Sequence, residues 1–334
     1  MSRLALFLGV AAVLGLYAYT GWQSARIAGR FPPQGVFVDV AGGRLHLVDK
    51  MPQGEPRATV LLIHGASGNL GDMMLNLGPR LLQHGFRVIA IDRPGQGWSD
   101  RPDGAADASP ARQVQLIRQA MDKIGVKQAI VLGHSLGGMA AINFALDQTD
   151  FTQALVLVAP VSHPWPGGVA WYYHAAAAPV LGQVFTRLFS LPIGIVSLKS
   201  GVAHVFAPQA APAGFLHATG VGLVLRPASF MANAQDVAAA HGFVTLQAPR
   251  MKDIAVPTGI VTGDSDDIVL TKIHSFGSAR DIPGAKLTVL AGVGHAPHNS
   301  DPDAVVKVVE EVAARVAAAR ISGPAGATAL EPAR

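Results

Sequence analysis

The chain has 334 residues, enough for one large domain or two small ones, and with half of them hydrophobic and only 14% charged it can build a sizeable core rather than stay disordered. Its net charge of +4 comes from scattered basic residues, without the basic stripe or recognisable module that a nucleic-acid partner would need. There is no cysteine, which removes disulfides, thiolate metal sites and cysteine nucleophiles together and leaves the compartment open.

From Leu4 to Tyr19 the run LALFLGVAAVLGLYAY carries no charge, and Arg3 precedes it. Extended through Trp22 it approaches the roughly 18 residues that a bilayer crossing requires. Residues 1–22 therefore read as a signal-anchor or transmembrane segment that holds the protein at a membrane. The alternative is a signal peptide whose cleavage leaves a secreted or periplasmic protein, although Ala18-Tyr19-Thr20 is a poor cleavage triplet. Tyr17, Tyr19 and Trp22 would sit well at a membrane–water interface. A third reading is a buried N-terminal helix of the globular domain. Arg3 on one side and Arg26 and Arg30 on the other leave the orientation open. Residues 23–34, with Arg30-Phe31-Pro32-Pro33, read as a linker.

Two strand-like stretches follow, 35–40 and 44–49, in which Val36, Val38, Val40 and then Leu45 and Leu47 alternate with other residues. Ala41-Gly42-Gly43 between them makes a hairpin natural. The pattern then changes. Residues 59–63, 87–91, 129–132 and 154–158 are short, almost unbroken runs of Val, Ile and Leu, the composition of parallel strands covered on both faces. Helix-compatible stretches lie between them at 75–84, 109–124 and 137–147. Pro110 just inside the second and Gly125 just past it mark its ends. Strands alternating with helices predict right-handed βαβ units and a doubly wound sheet.

Between Val161 and Ala255 the alternation lapses into apolar helical stretches broken by Pro and Gly, at 169–178, 181–188, 214–225 and 230–240. Strands resume at 258–262 and 286–290, and 303–320 carries the apolar stripe Val305, Val308, Val309 and Val312 of an amphipathic helix. The expected layout is an α/β core with a doubly wound, mostly parallel sheet, formed by residues 35–160 and 256–320. A helical lid insertion occupies 161–255, and a Gly-, Pro- and Ala-rich disordered tail 321–334.

The sharpest local signal is Gly133-His134-Ser135-Leu136-Gly137, placed after an apolar strand and before a helix. A turn that tight strains the serine backbone and needs glycine two residues to either side, so that Ser135 stands above the sheet as a nucleophile. The backbone N–H of Leu136 would then face a developing oxyanion. A second donor belongs on the loop His64-Gly65-Ala66-Ser67-Gly68, directly after strand 59–63; the N–H of Ala66 is the first candidate and that of Ser67 the second. Such a donor is typically worth on the order of 10² to 10³ in rate. An acid and then a histidine should follow in the chain. Gly263-Asp264-Ser265-Asp266-Asp267-Ile268-Val269 offers three carboxylates, and Gly292-Val293-Gly294-His295 offers the base, each just past the end of a strand. His298 is the nearest rival to His295.

Together with Asp92-Arg93-Pro94-Gly95-Gln96-Gly97-Trp98-Ser99, these motifs resemble the α/β-hydrolase superfamily over roughly residues 35–160 and 256–320. The resemblance implies a serine branch with a lid, in which the pattern Gly-x-x-Asp-x-Ile-Val selects Asp266 from the three carboxylates. It implies a catalytic Ser135, Asp266 and His295, an oxyanion hole of Leu136 and Ala66, and a structural role for Asp92 and Arg93. Serine at position 135 sets the chain apart from relatives with an aspartate nucleophile.

The insertion is the substrate clue. Trp165, Trp171, Tyr172 and several phenylalanines stand among Ala, Val and Leu, favouring an apolar ester. Arg226 or Lys199 could instead meet a substrate carboxylate and move the reading toward C–C hydrolysis. Amide, lactone and thioester hydrolysis, perhydrolysis, and an inactive tethered binding module are the other readings. With no phosphate loop, dinucleotide fingerprint or convincing metal spacing, no cofactor or metal is expected.

Overall fold

A computed structural model describes residues 3–321, so the tail expected at 321–334 lies, past Ile321, outside the described residues. The expected hairpin is formed by β1 (Val36–Val40) and β2 (Gly43–Lys50), paired antiparallel. The apolar runs become β3 (Thr59–Ile63), β4 (Arg87–Ile91), β5 (Ala129–His134), β6 (Thr152–Val158), β7 (Thr258–Gly263) and β8 (Lys286–Leu290). They build one eight-stranded sheet in the order β1-β2-β4-β3-β5-β6-β7-β8. From β4 through β8 every pairing is parallel, while β2 meets β4 antiparallel.

The unbroken apolar character of the central strands follows from what covers them. Leu61, Ile63, Ile89, Ile91, Val131 and Leu155 pack on one face, under Pro110–Lys123 and Leu136–Asp147. Their neighbours Val60, Leu62, Val88, Ala90, Ile130 and Val156 pack on the other, with Leu77 and Leu81 and the stripe Val305, Val308, Val309 and Val312. Each strand residue meets a core, so no polar alternation survives.

Seven helices carry the rest of the argument: α1 (Arg3–Arg30), α2 (Pro110–Lys123), α3 (Leu136–Asp147), α4 (Trp171–Ala177), α5 (Leu191–Phe206), α6 (Pro227–Gln247) and α7 (Pro302–Ile321). Between β6 and β7 the described chain is helix and turn, with no strand. Sequence and structure part in several places. The linker expected at 23–34 is helical through Arg30, and only 31–34 joins α1 to β1. The reading of α1 as a buried core helix fails, because its apolar side chains from Leu4 to Tyr19 face outward, Leu16 alone being half-buried. The helix expected at 75–84 is two, Leu70–Leu75 and Leu77–Gln83, the first capped by Asn69, whose side chain accepts from the Gly71 N–H at 2.7 Å. The stretch 214–225 is a short turn of helix and a 3₁₀ turn. No expectation covered α5, since Pro192, Gly194 and Gly201 read as breakers. Pro192 falls in its first turn, and a π turn, Thr186–Ser190, precedes it.

A buried ion pair fastens the insertion to the sheet. The fully buried Arg93, just past β4, donates to Asp236 of α6 at 2.6 Å, and Arg101 donates to the other oxygen of that carboxylate at 2.9 Å. Arg93 also donates to the carbonyls of His64 and Gly65, joining three segments through one guanidinium. Asp92 accepts the N–H groups of Leu70 and Trp98 and pairs with His46 at 2.7 Å. Asp236→Ala would leave Arg93 buried without its carboxylate. Denaturant unfolding should then show a loss of about 3–5 kcal/mol. A loss below about 1 kcal/mol, the range of an exposed pair, would deny the clamp its role.

Candidate active site

Ser135 stands alone between the last residue of β5 and the first of α3, with φ 51° and ψ −120°. That left-handed backbone is costly for any residue with a Cβ, and the surroundings enforce it. The Ser135 N–H donates to Val158 of β6 at 3.0 Å, and its carbonyl accepts from Gly138 and Val161, each at 2.9 Å. A Cβ at Gly133 would strike the Gly137 backbone, and one at Gly137 would strike the carbonyls of Ile63 and His64. The two glycines therefore bring β3, β5 and α3 close enough to hold the turn.

The strand order reverses here, since β3 has β4 on one side and β5 on the other. In open parallel sheets such a reversal at the carboxyl ends of the strands is where a ligand crevice forms. Ser135 directly follows β5, and the loop His64-Gly65-Ala66-Ser67-Gly68 directly follows β3. Gly65 lies so close that a Cβ there would come within 2.9 Å of the Ser135 Cβ. The N–H of Ser67, the second candidate donor, is already given to Asn233 of α6 at 2.7 Å, and the Asn233 amide donates back to the Ser67 hydroxyl at 3.1 Å. The N–H groups of Leu136 and Ala66 have no acceptor among the described residues, which leaves both for a ligand oxygen.

His295 accepts from the Ser135 hydroxyl through Nε2 at 2.9 Å and donates from Nδ1 to Asp266 Oδ2 at 2.7 Å. The other oxygen of Asp266 accepts the N–H groups of Ile268 and Val269 at 3.0 and 2.9 Å, so the turn itself aims the carboxylate. The remaining two carboxylates do other things. Asp264 accepts from the Gly292 N–H at 2.7 Å and steadies the histidine loop, while Asp267 is exposed and stands 3.9 Å from His204. His298, the rival histidine, pairs with Asp72 at 3.1 Å and does not reach Ser135. The histidine loop is also gripped from the insertion. The His295 N–H donates to the carbonyl of Val205 in α5 at 3.2 Å, and Gln209 accepts from the Gly294 N–H while donating to the Gly292 carbonyl.

Ser135, Asp266 and His295 are each 6% exposed. Leu136, Met139, Val161 and Val269 of the core cluster there with Ala240 and Val244 of α6, and Ala66, Trp165 and Phe243 pack against them. Trp165 thus belongs to the apolar cluster that contains Leu136. Trp171 does not: its ring is 72% exposed and meets Tyr172 and Phe185. Tyr172 is exposed, with its ring tilted against that of the half-buried Tyr173; burial and the neighbouring Tyr172 raise the Tyr173 phenol well above the usual value, and Ser67 works against that rise. Arg226 is also excluded, since it donates to the carbonyls of Leu223 and Gly97 and lies over the Trp98 ring, 4.7 Å from its centre. A cavity of about 310 Å³ between the end of α1, His46 and residues 217–220 is lined by none of the three site residues.

Asn233, Tyr173, Val205 and Gln209 are the residues that sequence reasoning did not place at the site. Each acts across a long stretch of chain with no local pattern to announce it. The same holds for a buried cluster behind the site. His134 donates from Nε2 to the His295 carbonyl at 2.9 Å, which leaves its Nδ1 unprotonated and without a partner. Its ring lies 4.1 Å from that of His298.

Three buried histidines are held neutral. Burial, with Arg93 adding to it, lowers His64 to about 4. Burial and then His163 lower His274 to about 4, and burial with His298 and His295 takes His134 well below its usual value. The folded chain therefore resists protonation that the unfolded chain accepts near pH 6.5. Stability should be full above that pH and fall as pH drops toward 4, by up to about 3 kcal/mol for each of His64 and His274. Unfolding midpoints measured from pH 7 to 4.5 would reveal this; a flat profile would mean that these imidazoles are not held neutral.

A family model described as the alpha/beta hydrolase family matches residues 60–308. Among relatives, the 2-hydroxy-6-oxononadienedioate/2-hydroxy-6-oxononatrienedioate hydrolase of Comamonas testosteroni is 28% identical over 262 residues, covering 75% of this chain and 85% of its own. A candidate lipase of Acinetobacter baumannii AYE is similar in structure, with TM-score 0.67, 21% identity, and coverage of 90% of this chain and 97% of that one. A membrane phospholipase A, described as a bacterial virulence factor, gives TM-score 0.65 and 21% identity, covering 94% of this chain and 97% of its own. With the family model running from β3 into α7 and the strand order above, the chain belongs to the alpha/beta hydrolase family.

Proposed function

We propose that the chain is a carboxylic-ester hydrolase that acts on an apolar ester through an acyl-enzyme on Ser135. The observation that carries this reading is the unbroken relay from the Ser135 hydroxyl through His295 to Asp266, at 2.9 and 2.7 Å, beside two undirected N–H groups. Ser135 Oγ attacks the ester carbonyl as its proton passes to His295 Nε2, and Asp266 stabilises the imidazolium. The N–H groups of Leu136 and Ala66 receive the oxyanion. His295 returns the proton to the departing alcohol, and a water activated by the same nitrogen then frees the acid and restores Ser135.

The preference for an apolar ester rests on the lining. Leu136, the residue after the serine, clusters with Met139, Val161, Val269, Trp165 and Phe243, and the insertion that contributes Trp165 and Phe243 is read as the lid. The Comamonas relative's substrate is, by its name, a dicarboxylate, and such a substrate calls for cations. Arg226 is committed to carbonyls and to Trp98, and Lys199 lies on the exposed side of α5, which favours the ester over that C–C chemistry. We further propose that α1 is a membrane anchor, its 28 residues being long enough at about 1.5 Å each to cross a bilayer.

Hydrolysis of p-nitrophenyl esters from acetyl to palmitoyl should be measurable, with an optimum above the shortest chains. Ser135→Ala should lower kcat by about 10⁴-fold or more, and Asp266→Asn by about 10⁴-fold. No ester turnover, with Ser135 still labelled by a fluorophosphonate, would move the assignment to a C–C, amide or lactone bond. Neither turnover nor labelling would replace the enzyme with a tethered binding module.

A further inference from the structure

The second apolar run of the chain is not in the core. Residues Leu181–Phe206, which comprise a short helix, the π turn and α5, have a mean hydropathy of 1.4 over their most apolar window, and most of that window is exposed. Val196 is 83% exposed, Leu181 62%, Ile193 59% and Val184 53%. Single exposed apolar residues are ordinary, but a run of them along one helical segment marks a surface with a partner.

Two observations identify that partner. The first is continuity with α1. The C-terminal third of α1 docks on this same segment: Thr20 is buried, and Ile27 packs with Leu191 of α5 and with Val224 and Leu225. The N-terminal part of α1 runs on from this docking site with its apolar side chains bare. Whatever covers residues 4–19 therefore begins where the exposed run lies. The second is charge. No Asp or Glu occurs before Asp39, and none between Phe151 and Gln235. The only formal charges on the exposed run are Arg187 and Lys199, long side chains that can keep their heads among lipid phosphates while their stems lie in the apolar layer.

We infer that the face of Leu181–Phe206 bearing Leu181, Val184, Ile193 and Val196 rests in the interface of a lipid bilayer, beside the point where α1 enters it. This rests on the reading of α1 as an anchor. The run lies along the membrane surface rather than across it, as an amphipathic segment does when one side is held by protein. Leu191, Val202 and Phe206 supply that held side, being buried in the insertion. Next to the run's last residue is Val205, whose carbonyl accepts from the N–H of His295, so the surface that meets lipid abuts the histidine loop. A bilayer-borne apolar substrate would have a short path to Ser135.

The absence of cysteine makes the test direct. Full-length Val196→Cys, Leu14→Cys and Asp150→Cys would each be labelled with a polarity-sensitive fluorophore and reconstituted in phosphatidylcholine–phosphatidylglycerol vesicles, with and without brominated lipid. Ser135-dependent ester hydrolysis by each labelled protein would certify its fold. The inference expects bromolipid quenching at 196 and 14 that is severalfold greater than at 150. Quenching at 14 without quenching at 196 would overturn it and leave the anchor standing, whereas quenching at neither would remove both. A blue-shifted label at 196 that ignores brominated lipid would mean that protein, such as a second copy of the chain, covers the face. Equal quenching at 150 would mean unspecific adsorption, and would also overturn it.

Discussion

The site depends on one strained residue. Ser135 holds a backbone conformation that would relax if released, and it is kept there by bonds to β6 and by two glycines that let β3 and α3 press against the turn. The same closeness sets the distance between Ser135 and the loop after β3, because Gly65 has room for a hydrogen and nothing more. Ser135 and the loop after β3 are thus spaced by backbone packing, without reliance on flexible side chains. The strand reversal at β3 marks where such sheets place their sites, and the parallel sheet supplies the rigidity on which the proposed chemistry stands.

Around that turn, polar groups are spent on position. Asp92, Arg93 and Asp236 are buried and fully engaged, and they connect the hairpin, the loop after β3 and α6. His64 donates to the Gly65 carbonyl and accepts from the Arg93 N–H, a pattern available only to the neutral ring. Low dielectric makes each of these bonds stronger, and makes the loss of a partner more damaging. Ser135, Asp266 and His295 are all buried, and Leu136, Val269 and Trp165 belong to one apolar cluster next to them in the chain or the fold.

Much of this was legible because it is written in adjacent residues. The turn at 133–137 announces itself through glycine spacing, Asp266 through the resemblance of its loop to the pattern Gly-x-x-Asp-x-Ile-Val, and the central strands through runs that are apolar on both faces. What was not legible depends on residues that meet from far apart. Asn233 closing on Ser67, and Val205 and Gln209 closing on the histidine loop, leave no periodicity. Pro192 misled because a proline in a first helical turn costs little, yet in a sequence it looks like a stop. Arg226 misled in the opposite way: an isolated arginine in an apolar insertion suggests a ligand for substrate, but carbonyls and the face of Trp98 satisfied it. Trp171 shows that aromatic content locates a surface without saying which side of it faces inward.

Gln209 binds the histidine loop at two points, and Val205 takes the N–H of His295 itself. The helical insertion is therefore not a detachable cap. Grafting another family member's insertion onto this sheet would remove part of the scaffold that holds His295. Diversification of this chain would then proceed by substitutions within the insertion, with residues 205–209 held constant, rather than by exchange of the insertion as a module.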